Sequence, residues 1–247
     1  MDIKSFLDST YLKTAKQAGI TDKETTDLVT KCIQEAIDEH FKLVMIRPEY
    51  VALAKKMIHQ QQSKVLVGTV ISFPEGTNTT EEKRQEINNA LQNGADDIDV
   101  VCNYTAFKNG QIQFVKQEIQ ELTKQVLDMN KTIKWIIEVA ALCDSEIIQL
   151  SCLIKNTIIT HFKEEQYQHV FVKSSTGFFE TKNGQPNGAT IPTIILMLEN
   201  ASPLPIKAAG GVKNHEDALT MIQLGVKRIG TSAAKAIAHG EISTTAY

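Results

Sequence analysis

A single (β/α)8 barrel is the fold class the sequence predicts, on three observations. Short apolar, β-branched runs recur eight times along the 247 residues, and the segments between them carry apolar residues at helical spacing. Dividing 247 by eight gives about 31 residues per strand–helix unit, the repeat of a barrel of this length. An open doubly wound sheet would need a glycine fingerprint after its first strand, and Phe6-Leu7-Asp8-Ser9-Thr10 has none. No Pro- or Ser-rich linker interrupts the alternation, so residues 1–247 form one domain, with a tail from about 240 onward.

The elements follow in order. The first run, Phe6-Leu7, precedes a capping box, Thr21-x-x-Glu24, which opens a helix whose face is Leu28, Cys32 and Ala36. Leu43–Ile46 is the second run and Val65–Val70 the third, followed by a second capping box at Thr79-x-x-Glu82 and a helix stop at Gly94. Ile98–Val101 is the fourth; Val115, Ile119, Leu122, Val126 and Met129 mark the helix after it. Ile133–Ile137 is the fifth, with Asp144 as N-cap of the next helix, and Val170–Val172 is the sixth. Leu204–Ile206 is the seventh, with Asn214 as N-cap and Gly225 as helix stop, and Arg228–Ile229 closes the series.

Composition narrows the function classes. Lys plus Arg is 26 against 29 for Asp plus Glu, a net charge of −3 that gives no basic surface for nucleic acid. No run of about 18 apolar residues is present to span a membrane. Met1-Asp2-Ile3-Lys4 lacks a signal peptide's apolar stretch, so a cytoplasmic enzyme is expected. Four cysteines without a C-x-x-C pair and six histidines without H-E-x-x-H give no zinc pattern; no metal and no cofactor is expected.

Barrel active sites lie at the C-terminal ends of the strands, where a polar residue in an apolar run needs a reason. The fourth run carries Asp97 and Asp99 on one face, with Ile98 and Val100 on the other. The sixth ends in Val172-Lys173-Ser174-Ser175-Thr176-Gly177, and the seventh in Ile206-Lys207-Ala208-Ala209-Gly210-Gly211. Two lysines thus project from neighbouring strand ends, where a single one would be read as snorkelling to the rim. Two ammonium groups about 4 Å apart at an effective dielectric near 20 repel by roughly 4 kcal/mol, about three pKa units. Such repulsion would bring one amine close to neutrality, able to attack a carbonyl and form a Schiff base. Carbon–carbon cleavage beside the imine is aldolase chemistry, with Asp99 moving protons. Gly177, Gly210, Gly211, Ser232 and Ala233 follow the last three strands and would surround one phosphate; no P-loop pattern points to a nucleoside triphosphate.

On these residues the chain resembles the deoxyribose-phosphate aldolases over nearly its full length. The resemblance rests on 7–13 (LDSTYLK), 69–76 (TVISFPEG), 94–101 (GADDIDVV), 134–138 (KWIIE), 172–177 (VKSSTG) and 206–212 (IKAAGGV). It implies a metal-independent class I aldolase that cleaves 2-deoxy-D-ribose 5-phosphate to acetaldehyde and D-glyceraldehyde 3-phosphate, in deoxyribonucleoside catabolism. Lys173 matches the Schiff-base lysine, Lys207 the lysine that perturbs it, and Asp99 the proton-transfer aspartate. Asp8, Thr10, Lys134, Glu138 and Thr176 fall where they would support the polar network. Gly177, Gly210, Gly211, Ser232 and Ala233 match the phosphate-binding backbone. Tyr247 matches a terminal tyrosine that assists proton transfer. Small phosphosugars and aldehydes are the implied partners, and a homodimer the implied assembly.

Three residues depart from the family pattern. Met45 stands where many members carry a cysteine, Phe178 where some carry a lysine, and Ala233 where the loop has a serine. The last two bear on phosphate affinity. Alternatives on the same fold are another Schiff-base aldolase or transaldolase, a phosphosugar isomerase that has no need of Lys173, and a non-catalytic phosphate-binding relative.

Overall fold

The structure, a computed structural model, describes residues 2–241. Eight parallel strands close into a barrel in sequence order: β1 (Leu7–Tyr11), β2 (Leu43–Ile46), β3 (Leu66–Ile71), β4 (Asp97–Val101), β5 (Thr132–Ile136), β6 (Val170–Lys173), β7 (Ile206–Ala209) and β8 (Arg228–Thr231). Closure comes from β8 pairing with β1, Leu7 against Ile229 and Ser9 against Thr231. The helices outside are α1 (Ala15–Ala18), α2 (Asp22–Asp38), α3 (Val51–Gln60), α4 (Thr80–Gln92), α5 (Tyr104–Lys108), α6 (Ile112–Asp128), α7 (Asp144–His161), α8 (Ile191–Ala201), α9 (His215–Leu224) and α10 (Ala234–His239).

Strand alternation sorts the residues into two environments. Outward-facing Ile98, Val100, Val170, Val172, Ile206 and Ala208 pack under the helices in one continuous apolar layer. Each buried aliphatic chain there stabilises the fold by about 1.5–3 kcal/mol. Trp135 belongs to this layer, and its indole N–H donates to Thr123 Oγ1 on α6 at 3.0 Å. The barrel lumen is divided. Leu12, Leu43, Met45 and Val70 form an apolar half on the β1–β3 side, while β4–β8, joined by Asp8 of β1, fill the other half with charge.

That division explains where the strands exceed the apolar runs. β1 continues through Asp8 and Thr10, and β7 through Lys207, because inward positions carry the polar groups; Ser9, between Asp8 and Thr10, faces out, its hydroxyl 3.6 Å from Cys32 Sγ on α2. Phe6 itself lies in the short 3-10 turn before β1. The capping boxes at Thr21 and Thr79 form, as does the Asn214 cap, and Gly225 ends α9 in a left-handed conformation. The cap of α7 is Cys143 rather than Asp144: Glu146 reaches back to the Cys143 N–H at 2.8 Å, which leaves Asp144 as the first helical residue. Asn93 caps α4, and Gly94 follows it at φ 98°.

Candidate active site

Below the C-terminal mouth of the barrel, six side chains form a closed ring of alternating charge. Asp8 meets Arg228 at 2.7 Å and Lys207 at 2.6 Å, the latter an ion contact rather than an aligned hydrogen bond. Arg228 also reaches Asp97 at 3.1 Å, Asp97 receives Lys134 at 2.6 Å, and Lys134 donates to Asp99 Oδ1 at 3.0 Å. Asp99 Oδ2 completes the circuit, accepting from Lys207 at 2.9 Å. Lys173 is appended to this ring through Asp99 Oδ2, at 2.8 Å. All seven residues are buried, so each charge survives only because counter-charges replace its lost water.

Burial by itself would raise the Asp99 carboxyl, but Lys134, Lys173 and Lys207 outweigh it and hold the group well below the usual carboxylate range. Burial likewise opposes ionised Asp8, and Arg228 and Lys207 overcome it. Lys134 is pulled down by burial and held up more strongly by Asp97 and Asp99, for a net rise. Lys173 goes the other way. Burial is the largest influence, Asp99 opposes it, Lys207 adds to it, and the amine falls to about 8. The repulsion expected between the two lysines does lower Lys173, but desolvation leads, because the amine is buried and meets a single carboxylate.

The barrel must leave room for this cluster. A Cβ on Gly230 would stand 3.0 Å from Lys207 Cε, so the glycine of β8 gives the lysine its path across the lumen. Above the ring opens a cavity of about 590 Å³ with Lys173 in its wall. Its lining includes Thr10, Thr176, Gly177, Gly210, Gly211, Ser232 and Ala233, so the polar residues read from three strand ends do converge. Lys213 lines the same cavity and is its second cation.

One wall is the segment 177–190. Its Gly188 packs so closely on the end of β7 that a Cβ would fall 2.4 Å from the Ala209 carbonyl oxygen. The Ala189 N–H donates to the Gly210 carbonyl at 2.8 Å, and Asn187 Nδ2 to that of Gly177 at 3.1 Å. Glu138, in a left-handed conformation after β5, anchors the start of this wall. Its carboxylate accepts from Ser175 Oγ at 2.8 Å, from the Thr176 N–H at 3.1 Å and from the Thr176 hydroxyl. Burial pushes the Glu138 carboxyl up.

Asp8, Asp99, Lys134, Lys173 and Lys207 thus form one network, while Glu138 and Thr176 shape its rim and Thr10 bonds to the Asp8 carbonyl at 2.8 Å. Two backbone groups read as phosphate donors are already engaged: the Gly177 N–H donates to Ser175 Oγ at 2.9 Å and the Ala233 N–H to Thr231 Oγ1 at 3.0 Å. Tyr247 lies outside the described residues. Asp97 joins the network from the face it shares with Asp99, as the alternation predicts. Two contributors escape a reading by runs: Arg228, which opens the last strand, and Lys213, which follows the glycine pair by two residues. For Arg228 the available signal was a charged residue in the inward register of its strand.

Fold and site together define an aldolase built on a (β/α)8 barrel. Comparison with known proteins makes the class specific. The model of the DeoC/LacD family aldolases matches residues 12–241, and the chain belongs to that family. It is 36% identical over 241 residues to the deoxyribose-phosphate aldolase of Thermococcus gammatolerans, covering 97% of this chain and 96% of the relative. With that of Staphylococcus carnosus it shares 37% over 248 residues, covering all of both chains. Among solved structures, the tetrameric deoxyribose phosphate aldolase of Aeropyrum pernix superposes with a TM-score of 0.74 at 25% identity, over 96% of this chain and 89% of the other.

Proposed function

We propose that the protein is a class I aldolase that reversibly cleaves 2-deoxy-D-ribose 5-phosphate into acetaldehyde and D-glyceraldehyde 3-phosphate. The observation that carries this reading is Lys173. It is a buried amine brought to about 8, in the wall of the cavity and bonded to one carboxylate. At neutral pH a useful fraction is the free amine, which an ordinary lysine near 10.4 would not supply.

In this reading the Lys173 amine adds to C1 of the open-chain sugar, and the carbinolamine loses water to give a protonated imine. The C3 hydroxyl then gives up its proton, accepted by way of the Asp99 carboxylate, as the C2–C3 bond breaks. The bonding pair moves toward the imine nitrogen, leaving an enamine and releasing glyceraldehyde 3-phosphate. Protonation at C2 and hydrolysis return acetaldehyde and the free amine. Asp99 is fully ionised at rest and a weak base, so it serves as an acceptor that orients Lys173 and passes protons between amines. Lys207, bonded to both Asp8 and Asp99, is the neighbouring donor. Tyr247 is proposed to assist protonation at C2, and Lys134 to hold Asp99.

The phosphate would lie against Gly210, Gly211 and Ser232, with Lys213 as its cation. Lys213 supplies the charge that Phe178 does not. A substrate that is a phosphate ester does not cross a bilayer unaided, which suits a cytoplasmic enzyme; no helix among the described residues is long and apolar enough to span a membrane. A homodimer is proposed as the assembly, and mass in solution separates it from the tetramer described for the Aeropyrum relative.

The test is mass spectrometry after incubation with acetaldehyde and sodium borohydride. A reduced two-carbon adduct on the Lys173 peptide, absent from Lys173→Ala, is expected. An adduct on Lys207 instead would exchange the two lysine roles. No adduct on folded protein would remove the Schiff-base reading.

A further inference from the structure

The buried cluster holds an unequal number of charges. Its carboxylates are Asp8, Asp97 and Asp99, and its cations are Lys134, Lys173, Lys207 and Arg228, three against four. Within the ring Lys134, Lys207 and Arg228 each touch two carboxylates, whereas Lys173 touches only Asp99. A surplus cation in a dry lumen is relieved most cheaply where the fewest counter-charges are lost. Arg228 creates the surplus. It enters from the first residue of β8, does not line the cavity and touches neither Lys173 nor any group placed to meet substrate directly, apart from the carboxylates that it shares.

We propose that Arg228, paired with Asp97 beneath the site, is a positioning residue of the reaction: its permanent charge makes the cluster one cation too many and so designates Lys173 as the group that releases a proton. The inference rests on Lys173 being the nucleophile. Arginine suits the task because, unlike lysine, it does not itself titrate, so the proton must leave elsewhere. Its guanidinium also spans Asp8 and Asp97 on strands β1 and β4, which a single ammonium would hold less rigidly.

The other charged groups around Lys173 leave this count intact. Lys134 faces it from β5, Lys207 from β7, and Asp97 and Asp99 from β4. Glu138 attracts the Lys173 charge across space, but it bonds to Ser175 and Thr176, makes no ion pair with the cluster and is the same in every variant below. Lys213 and Asp217 lie on the outer cavity wall, exposed to solvent that screens them. Apart from Asp97 itself, none of these is altered when Arg228 or Asp97 is replaced.

Opposite substitutions should move the pH profile in opposite directions. The acid limb of kcat/KM for 2-deoxy-D-ribose 5-phosphate reports deprotonation of the free-enzyme amine. Arg228→Met leaves three carboxylates and three cations, so Lys173 keeps its proton; the limb should rise by about one pH unit, a roughly tenfold loss at pH 7. Asp97→Asn leaves two against four, and the limb should fall. The double variant, two against three, restores a surplus of one and should return the limb toward wild type. General damage to the barrel would lower the rate without shifting the limb in two directions.

Limbs that stay in place in both single variants, or move the same way, overturn the proposal. If Arg228→Met does not fold, the sign of the Asp97→Asn shift decides, and an upward or absent shift overturns it. Borohydride trapping of the wild type separates the two levels. An adduct on Lys173 with unmoved limbs removes only the role of Arg228, while no adduct on Lys173 removes the nucleophile assignment beneath it.

Discussion

Lys173 and Lys207 donate to the same oxygen, Asp99 Oδ2, at 2.8 and 2.9 Å. One carboxylate oxygen cannot fully compensate two ammonium groups, so the amine with no other carboxylate contact is the one whose charge is least supported. Lys207 has Asp8 as well; Lys173 has not.

Rate should therefore depend on pH through Lys173. Its amine lies near 8 and acts as the free base, so kcat/KM should climb through pH 8 and level off above it. Lys207→Met removes a neighbouring cation and frees Asp99 for Lys173. The limb should move up by about one unit and activity at pH 7 should fall on the order of 100-fold, partly recovering toward pH 9. A profile of unchanged shape would refute the coupling.

Stability should show the opposite cost. The folded-state amine, about 8, lies below its ordinary 10.5, so burial of the charged form destabilises the fold below pH 8. Between pH 8 and 10.5 the native state has released the proton while the unfolded chain still holds it, and stability rises by about 3 kcal/mol. Lys173→Met should lack that rise and be at least as stable as wild type at pH 7 by urea denaturation. A clearly less stable variant would contradict the assignment.

Gly188→Ala tests the cavity wall. Its new methyl would fall against the Ala209 and Gly210 carbonyls, forcing the 177–190 segment off the end of β7. We expect a loss of about 2 kcal/mol in thermal unfolding and a raised KM. Unchanged values would mean that the segment relaxes freely.

Lys213 should separate phosphorylated from unphosphorylated sugars. Lys213→Ala is expected to raise KM for 2-deoxy-D-ribose 5-phosphate about tenfold, roughly 1.4 kcal/mol, with little change for 2-deoxy-D-ribose. Added salt should weaken the wild type toward the variant. Equal losses on both sugars would place Lys213 away from the phosphate.

Much of the site was legible because its residues interrupt apolar strands. Lys173, Lys207 and Asp99 stand out in runs such as 170–172 and 98–101, and the motifs around them belong to the aldolase family that the comparisons show. Arg228 was less legible. It precedes Ile229 as an ordinary strand-opening cation would, and its partner Asp8 is 220 residues away. Glu138 was named among the supporting residues, but its partners were not legible: its three acceptor bonds depend on a left-handed backbone that a strand-to-helix pattern does not display. Ser175 and Thr231 hydroxyls, likewise, take up the N–H groups of Gly177 and Ala233 through contacts only two residues long.

By itself the sequence determined the barrel, its strand order and the place of the two strand-end lysines, since periodicity and local motif are carried by residues close together in the chain. Which charges meet was decided by tertiary structure alone. Only closure of β8 on β1 brings Arg228 to Asp8, and only the inward register of six strands assembles four cations around three carboxylates. In that buried lumen Lys173 is the amine with the fewest carboxylate contacts, and its charged form is the least supported.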